Sequence, residues 1–411
     1  RPAAPAPGWP ATDAHLGWQQ HPNLRNRERI MKITYLDLKN WRNFKAAKFA
    51  LQSRMFIVGP NATGKSNILD SLRFLSEVAD PQGGLQRAIS SRRGISPIRS
   101  LFARKDPEVM VRVQLEHEGT AWDYALAFKS GKARDAVVVS SEVVKKGAKV
   151  LLSRPDGDDD KDAERLSQSH LEQVTANRSF RELATALTSI RYLHVVPQLV
   201  RESLPSTGSA KDPFGRDFLE RLASVPDKTR KGRLKKIEKA LQVAVPQLRQ
   251  MDLVRDVRGT PHLRLRYHHW RPNAGWQQEE QLSDGTLRLL GLLWALMDKG
   301  GPLLLEEPEL SLHSAVAAKV PQMMARVLQR SDRQVIVTTH SADLLGDEGI
   351  APEEILLLTP TSDGTRATVG ADDEEIRALM AAGVPASTAV LPRTAPENIA
   401  ELDTVSLDSP G

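Results

Sequence analysis

The sequence predicts an α/β protein with a mixed β core, an antiparallel β subdomain and a short helical insertion. Three observations support this fold class. The short apolar run Met55–Val58 ends at a glycine-containing loop that leads into an amphipathic helix over residues 66–78. Alternating apolar residues over 109–152 predict an antiparallel meander of about four strands. Two later apolar runs, Leu303–Leu305 and Val335–Thr339, are typical of buried parallel strands.

Composition narrows the classes of protein that the chain can represent. The 411 residues are 40% hydrophobic and 26% charged, as in globular proteins with one large domain or two ordinary ones. The absence of cysteine excludes disulfides, zinc ribbons and thiol catalysis. No apolar run approaches the roughly 18 residues of a membrane span, so we expect a cytoplasmic protein with no membrane partner. The net charge of +6 is informative only where basic residues cluster.

Changes in composition along the chain suggest five segments. Residues 1–30 are rich in proline and alanine and are interpreted as a disordered extension ahead of a candidate start at Met31. The other segments are a first lobe with the antiparallel subdomain (31–198), a basic helical insertion (199–262), a second lobe (263–391) and a disordered tail (392–411).

Within the first lobe, the opening strand has a broken alternation. Ile33 and Tyr35 are expected on one face, but Asp37 falls on that same face. Phe44 and Phe49–Leu51 suggest its partner strand. Six acids within the nine residues Asp156–Glu164 indicate a solvated linker. A helix over 166–187 and a strand over 190–196 are expected to follow.

The second half of the chain is predicted to begin with helices and to end in core strands. Residues 199–262 are expected to be mainly helical, and Leu263–Tyr267 resumes a strand. Leu287–Met297 is apolar nearly all round and predicts a buried helix. A strand pair (355–358 with 367–369) and a helix over 372–383 are expected near the end.

The loop after the first core strand fits the phosphate-binding pattern G-x-x-x-x-G-K-S. Its glycines let backbone amides turn toward phosphates, and the helix N-terminus adds partial positive charge. Lys65 would supply a point charge, and the Ser66 hydroxyl is a Mg²⁺ ligand in this pattern. The candidate nucleotide-binding residues are Gly59, Pro60, Asn61, Ala62, Thr63, Gly64, Lys65, Ser66 and Asn67.

Two acids follow the second apolar run, and a histidine follows the third. Glu306 would orient Mg²⁺ and its water, and Glu307 would act as the general base. His340 could contact the γ-phosphate or the attacking water. Glutamates after a strand and single histidines are also common as surface or structural groups, so the residue types alone leave these roles open.

A third element is the segment Leu282–Thr286, directly before the buried helix. Ser283 is a good N-cap, and Gly285 leaves the amides of the first turn open to an anion. Such capping sequences are common, so this one alone does not indicate a nucleotide contact. Its position between the phosphate loop and the paired acids makes Ser283, Asp284 and Gly285 candidates for nucleotide contact.

In this order the motifs resemble those of ATPases of the ABC/SMC head type, in the RecF/OLD-like group of bacterial AAA-family ATPases. The resemblance covers about residues 31–385 and implies an ABC-type P-loop NTPase head that uses ATP and Mg²⁺. Asn40–Phe44 is similar to a segment near the start of such heads. The corresponding motifs are Walker A (Gly59–Ser66), the signature (Leu282–Thr286), Walker B (Glu306–Glu307), the D-loop position (Leu310–His313) and the switch histidine (His340).

The resemblance also implies how such a chain works. In such heads, the signature of one subunit closes on the ATP held by Walker A of another, so ATP joins a homodimer or higher oligomer and hydrolysis releases it. The segment Tyr192–Gln198 is similar to the strand and glutamine of the Q-loop. It makes Gln198 a candidate contact for Mg²⁺ or water, alongside the metal ligands Ser66 and Glu306. Glu306 stands where transporter-type heads have aspartate, a mild chemical change.

The cellular role remains open between two hypotheses. Seven bases in the twelve residues Lys228–Lys239, and a second arginine-rich stretch over 87–104, could contact nucleic-acid backbones, an acidic partner or solvent. The preferred hypothesis is the sensor ATPase of a defence or toxin-like module with a separate effector. The alternative is a DNA repair or recombination ATPase. The basic insertion fits a transporter subunit poorly, and the residues after His340 lack the Asp-x-Asp pattern of a Toprim nuclease.

Overall fold

Within the described residues, two six-stranded sheets, one antiparallel and one mixed, organise the chain, and a sheet of three strands spans the end of the predicted insertion and the start of the second lobe. The computed structural model describes residues 30–131, 136–202, 212–271, 274–395 and 398–399. The predicted disorder over residues 1–29, 396–397 and 400–411 lies outside the described residues.

The strands are numbered in chain order. They are β1 (Lys32–Trp41), β2 (Phe44–Ala50), β3 (Arg54–Val58), β4 (Val109–His117), β5 (Thr120–Ser130), β6 (Val137–Lys146), β7 (Lys149–Arg154), β8 (Arg191–Leu193), β9 (Leu248–Arg255), β10 (Pro261–Tyr267), β11 (Trp276–Gln278), β12 (Leu303–Glu306), β13 (Val335–Thr338), β14 (Ile355–Thr361) and β15 (Gly364–Val369).

The α-helices are numbered in the same way, and short 3₁₀ turns are left unnumbered. They are α1 (Lys65–Ala79), α2 (Gly84–Ser90), α3 (Gly157–Lys161), α4 (Arg181–Thr188), α5 (Pro197–Arg201), α6 (Phe218–Ser224), α7 (Asp227–Ala244), α8 (Asp284–Met297), α9 (Ser314–Ala317), α10 (Val320–Leu328), α11 (Ala342–Leu345), α12 (Glu374–Ala381) and α13 (Ala386–Val390).

The antiparallel sheet has the order β2-β1-β4-β5-β6-β7, so the predicted meander is extended by the first two strands. The expected faces of β1 were wrong, because a register shift between Ile33 and Tyr35 changes the alternation. Ile33 and Leu36 therefore both enter the core. Asp37, which broke the predicted pattern, is buried and pairs with Lys48 at 3.2 Å.

The mixed sheet has the order β15-β14-β3-β13-β12-β8 and carries the candidate site. Strands β14, β3, β13, β12 and β8 run parallel, so their carboxyl ends share one edge. All residues of β3 and β13 are buried, which explains why both read as continuous apolar runs. The predicted fold class, a mixed β core with an antiparallel β subdomain, is confirmed.

The insertion contains both helices and strands. The prediction of a mainly helical segment is right for α6 and α7 but wrong for β9, which pairs with β10 in the three-stranded sheet. Leu263 and Leu265 of β10 are buried, while Arg264 between them faces the opposite side. The segment is thus a small β-sheet packed against helices.

Most of the acidic segment is exposed to solvent, as predicted, but it forms helix α3 instead of a linker, and one of its acids is buried. Asp156 caps α3, and Asp159 is buried against Arg154. The Arg154 guanidinium donates two hydrogen bonds to the Asp159 carboxylate, at 2.8 and 2.9 Å. An ion pair with Arg154 therefore offsets the charge of this one buried acid.

The long helix expected over residues 166–187 was also wrong. Only α4 is α-helical there, preceded by short 3₁₀ turns at Ala163–Ser167 and Ala176–Phe180. At the end of the chain, a 3₁₀ turn over Leu391–Thr394 extends order slightly past the predicted limit. Arg393 holds this turn through an ion pair with Asp373 at 2.7 Å.

Candidate nucleotide-binding site

The phosphate loop lies at the carboxyl end of β3 and enters α1 through two residues with left-handed backbone. Ala62 has φ 65°, and Gly64 has φ 95° at the N-cap of the helix. Gly59 allows close packing, since a Cβ there would stand 2.8 Å from the Leu358 carbonyl oxygen. The loop thus has the tight backbone turn that directs amide groups toward an anion.

Lys65 is buried at the start of α1. Its ammonium group donates hydrogen bonds to the carbonyl oxygens of Gly59, at 2.8 Å, and of Pro60, at 3.1 Å. Burial lowers the pKa of Lys65, and the negative charges of Glu307, Glu306 and Glu309 oppose that shift. The lysine therefore lies inside the loop and within the electric field of all three acids.

The turn between β1 and β2 contacts the phosphate loop from the antiparallel sheet. The Asn43 side chain donates to the Ala62 carbonyl at 2.7 Å and accepts from the Asn67 amide. The Trp41 indole donates to the Asn67 carbonyl oxygen at 2.9 Å. The segment Asn40–Phe44, noted for its resemblance, thus supports the loop and the first turn of α1.

Glu306, the last residue of β12, lies beside the first turn of α1. Its carboxylate accepts hydrogen bonds from the Ser66 hydroxyl at 2.5 Å and from the Tyr192 hydroxyl. His194 Nδ1 is 3.3 Å from the Glu306 carbonyl oxygen. Two predicted metal ligands, Ser66 and Glu306, are therefore brought together, and strand β8 orients the second of them.

Glu307 follows with a left-handed backbone, φ 42°, which is uncommon for a residue with a side chain. Its amide donates to the Thr338 carbonyl at 3.0 Å, which ties it to the end of β13. Its carboxylate is 3.1 Å from Nδ1 of His340. The two predicted catalytic residues therefore form a direct pair at the shared strand edge.

Glu309 lies deeper than the predicted acids. It is buried, one carboxylate oxygen accepts from the Thr339 hydroxyl at 2.5 Å, and the other has no hydrogen-bond partner among the described residues. Burial raises the pKa of Glu309. The side chain therefore connects the segment after Walker B to the strand that carries His340.

The signature segment forms the N-terminus of α8. Ser283 is exposed, and its hydroxyl accepts from the Thr286 amide at 3.3 Å. Gly285 packs against the D-loop position, since a Cβ there would lie 2.5 Å from the Ser311 carbonyl oxygen. Arg201 fixes Asp284 through an ion pair at 2.5 Å. Ser283 thus faces outward, with no hydrogen bond to the phosphate loop of its own chain among the described residues.

Gln198 is not joined to this cluster. It is exposed in α5, and within the described part of the chain its side chain has no hydrogen-bond partner. The nearby residue that does contact Glu306 is Tyr192, which sequence reasoning missed together with Asn43 and Glu309. The signals were present, since Tyr192 lies on the predicted strand ahead of Gln198 and Glu309 follows the paired acids.

The glycine-rich loop after a parallel strand, with acids at the end of a nearby strand, defines a P-loop nucleotide-binding ATPase of the α/β class. Residues 54–346 match the family described as "AAA domain, putative AbiEii toxin, Type IV TA system", and the chain belongs to this family. The predicted membership of a group of AAA-family ATPases is thereby confirmed.

Comparisons with solved structures found SMC heads at low sequence identity. The SMC head domain from Thermotoga maritima aligns with 82% of this chain and 98% of its own, at 15% identity and a TM-score of 0.46. An Smc head bound to the C-terminal winged-helix domain of ScpA covers 82% and 96%, at 13% identity and 0.48. An Smc head from Pyrococcus furiosus, bound to the C-terminal domain of ScpA, covers the same shares at 12% identity and 0.48.

Among curated proteins, no significant match was found. A search of the described residues for membrane spans found no helix with the length and apolarity to cross a bilayer.

Proposed function

We propose that the chain binds Mg-ATP at the phosphate loop and hydrolyses it, with the signature of a second copy completing the site. The observation that carries this proposal is the convergence of Ser66 and Glu306 beside Lys65, with the Glu307–His340 pair on the adjoining strand end. These are the groups that phosphoryl transfer to water requires in P-loop ATPases.

The donor set fits Mg²⁺, which prefers hard oxygen ligands. The Ser66 hydroxyl and the Glu306 carboxylate would hold the ion, which when bound reduces the negative charge on the phosphate oxygens. Lys65 would bind the β- and γ-phosphates. Glu307 would accept the proton of the attacking water, and His340 would orient Glu307 and contact the γ-phosphate.

The dimer is supported by the placement of the signature. Ser283 is exposed, and nothing in its own chain's phosphate loop bonds to it within the described residues. A second copy could therefore present Ser283 and the amides near Gly285 to the nucleotide. Because these contacts exist only in the closed state, ATP would favour the dimer by differential affinity.

The test is the Glu307→Gln variant. We expect ATP binding to survive while hydrolysis falls by about 10²–10⁴-fold, since the general base is lost. The ATP-bound dimer should then accumulate, measured by size-exclusion chromatography with light scattering at saturating Mg-ATP. Glu353→Gln, an exposed residue away from the site, is the matched control and should behave as the unmodified chain.

Adding Ser283→Arg to the Glu307→Gln chain tests the sandwich directly. A large cation at the exposed N-cap should prevent closure and leave the double variant monomeric while it still binds ATP. A Glu307→Gln chain that stays monomeric at saturating ATP would contradict the dimer. A double variant that still dimerises would contradict the role of the signature.

For the cellular role, we propose the sensor ATPase of a defence or toxin-like module with a separate effector. Support comes from the family description, which names a putative toxin of a type IV toxin–antitoxin system. Expression of the chain in a bacterial host, alone and with the protein encoded beside it, tests the idea. Growth inhibition that needs both proteins and disappears in Lys65→Ala supports it, and inhibition independent of Lys65 overturns it.

A DNA-binding role is the second candidate, because one observation favours it. Among the bases of α7, the two arginines pair with Asp227 and Asp298. The five lysines of the helix are exposed, and only Lys231 has an acid partner among the described residues, Asp227 at 2.8 Å. Replacing these lysines with glutamine should weaken DNA binding and flatten its dependence on salt. Unchanged affinity for DNA would show that these lysines only face solvent. The exposed lysines are Lys228, Lys231, Lys235, Lys236 and Lys239.

The arginine stretch over 87–104 supports DNA binding less than its composition suggested. Arg92 is buried and pairs with Asp70 at 2.7 Å and with Glu77. Its charge is used to join α1 to the residues after α2, and it is not available to a phosphate backbone.

A further inference from the structure

A cavity of about 380 Å³ lies beside β8, at the edge of the mixed sheet. Its walls come from the second half of α1, from α2 and α6, and from the starts of β8 and β12. None of its lining residues belongs to the phosphate loop. The cavity is therefore a separate space, of a size typical of small-ligand sites.

Five arginines and four acids line this cavity, and two of the acids have cation partners. Glu77 accepts from Arg73 at 2.8 Å and also pairs with Arg92. Asp298 pairs with Arg233, which lies outside the cavity, at 2.9 Å. These two carboxylates are each held by a cation, whereas the other two lining acids accept hydrogen bonds from backbone amides.

Three of the arginines have weak or absent acidic partners. Arg191 forms no ion pair among the described residues, and its buried Nη1 has no hydrogen-bond partner. Arg333 is buried and donates to backbone carbonyl oxygens, including that of Gly301 at 3.0 Å. Arg221 has its nearest acid, Asp217, at 4.0 Å.

The three guanidinium groups also act on one another. Burial and the charge of Arg221 lower the pKa of Arg191. Burial, with the charges of Arg191 and Arg221, lowers the pKa of Arg333 to about 10, although the charge of Asp298 opposes that shift. An anion placed among them would relieve this repulsion and supply the missing hydrogen-bond acceptors.

We propose that this cavity binds a small molecule through a phosphate or pyrophosphate group. Guanidinium groups match the oxygens of phosphate in a bidentate manner, and the buried Nη1 of Arg191 lacks a hydrogen-bond acceptor among the described residues. The ligand is a second anion, distinct from the nucleotide held by the phosphate loop.

The cavity is connected to the nucleotide-binding site through residues of strand β8, so a ligand in the cavity could affect that site. Arg191 precedes Tyr192, whose hydroxyl bonds to the Glu306 carboxylate. The guanidinium of Arg73, another lining residue, stands 5.5 Å from the centre of the Tyr192 ring. A ligand that draws Arg191 or Arg73 toward itself would shift the strand that orients Glu306.

The test uses the full chain carrying Lys65→Ala, which removes the lysine of the phosphate loop. Isothermal titration calorimetry with inorganic pyrophosphate, in magnesium-free buffer, should show one site per chain. Arg191→Gln in that background should weaken binding by about tenfold or more, because a charge-assisted hydrogen bond is lost. Arg178→Gln removes the same charge from an exposed position elsewhere and should leave the affinity unchanged.

Arg221→Gln is a second probe of the cavity, and thermal unfolding of each variant checks that it is folded. Equal affinity in the Arg191→Gln, Arg221→Gln and control chains would overturn the proposal, as would no binding by the Lys65→Ala chain. Titration with ADP separates the sources of the phosphate group. Binding of ADP that depends on Arg191 assigns a nucleotide, and binding of pyrophosphate alone assigns a smaller phosphate.

Discussion

In the described part of the chain, buried charged groups have their hydrogen-bonding capacity filled in the antiparallel sheet but not at the candidate nucleotide-binding site. In the first region, Arg154 is fully buried and bonds to the carboxylates of Asp159 and Glu142 and to two carbonyl oxygens. In the second region, one oxygen of Glu309 and Nε of Arg288 are buried without partners among the described residues. A saturated cluster stabilises the fold, whereas an unsaturated one keeps capacity for a ligand.

The saturated cluster should give the largest loss of stability when it is broken. Asp159→Asn removes the charge that accepts hydrogen bonds from Nε and Nη2 of Arg154. We expect the free energy of unfolding to fall by about 3–5 kcal/mol, as when one partner of a buried ion pair is removed. Chemical denaturation measures this, and Asp160→Asn, its exposed neighbour, is the control. A loss below about 1 kcal/mol would contradict the comparison.

The same pair predicts how stability depends on pH. Hydrogen bonds from Arg154 lower the pKa of Asp159 from 3.8 to about 2. Because the folded pKa lies below the unfolded one, the stabilisation is present above pH 3.8 and is lost as the pH falls toward 2. The acid-unfolding curve of Asp159→Asn should therefore lack this component over that interval, while that of Asp160→Asn should retain it.

The nucleotide-binding site, where buried polar atoms lack partners within the described chain, should be stabilised when Mg-ATP binds. Lys65→Ala should abolish stabilisation by Mg-ATP, which for the unmodified chain amounts to about 2.7 kcal/mol at a ligand concentration of 100 times Kd. Thermal unfolding with and without Mg-ATP measures the difference, and Lys105→Ala serves as an exposed control. If Mg-ATP still stabilises the Lys65→Ala chain, the assignment of the phosphate loop as the nucleotide-binding site is wrong.

A smaller effect is expected from Tyr192→Phe, which removes the hydroxyl that bonds to Glu306. Groups that orient a metal ligand typically affect metal affinity by about 10–100-fold, so the Mg²⁺ concentration for half-maximal ATPase activity should rise about tenfold. Tyr35→Phe removes a hydroxyl on the distant β1 and should leave the Mg²⁺ dependence unchanged. An unaltered Mg²⁺ requirement in Tyr192→Phe would limit this tyrosine to a packing role.

Sequence reasoning succeeded where the signal is local. The strand, loop and helix around Lys65 and the acids after β12 follow from short apolar runs and from residues adjacent in the chain. Glu307 and His340 each follow a core strand. Because the two strands are parallel neighbours, their carboxyl ends lie side by side and bring these residues together.

It failed where a distant partner changes the meaning of a residue. Asp159 looked solvated like its neighbours, because composition does not show that the Arg154 side chain turns onto it from the end of the preceding strand. Arg92 looked like a surface base because the acids that neutralise it, Asp70 and Glu77, lie on the separate helix α1. The bulge in β1 carries no distinctive residue, so the faces of that strand could not be read from its alternation.

The sheet order has a consequence for how the protein is made. Strand β3, which ends in the phosphate loop, lies between β13 and β14, both of which come almost 300 residues later in the chain. On a ribosome, where synthesis proceeds from the N-terminus, β3 emerges long before either neighbour exists. The nascent chain therefore cannot assemble a working phosphate loop until translation has passed β14, and ATP binding during synthesis would report that the core is complete.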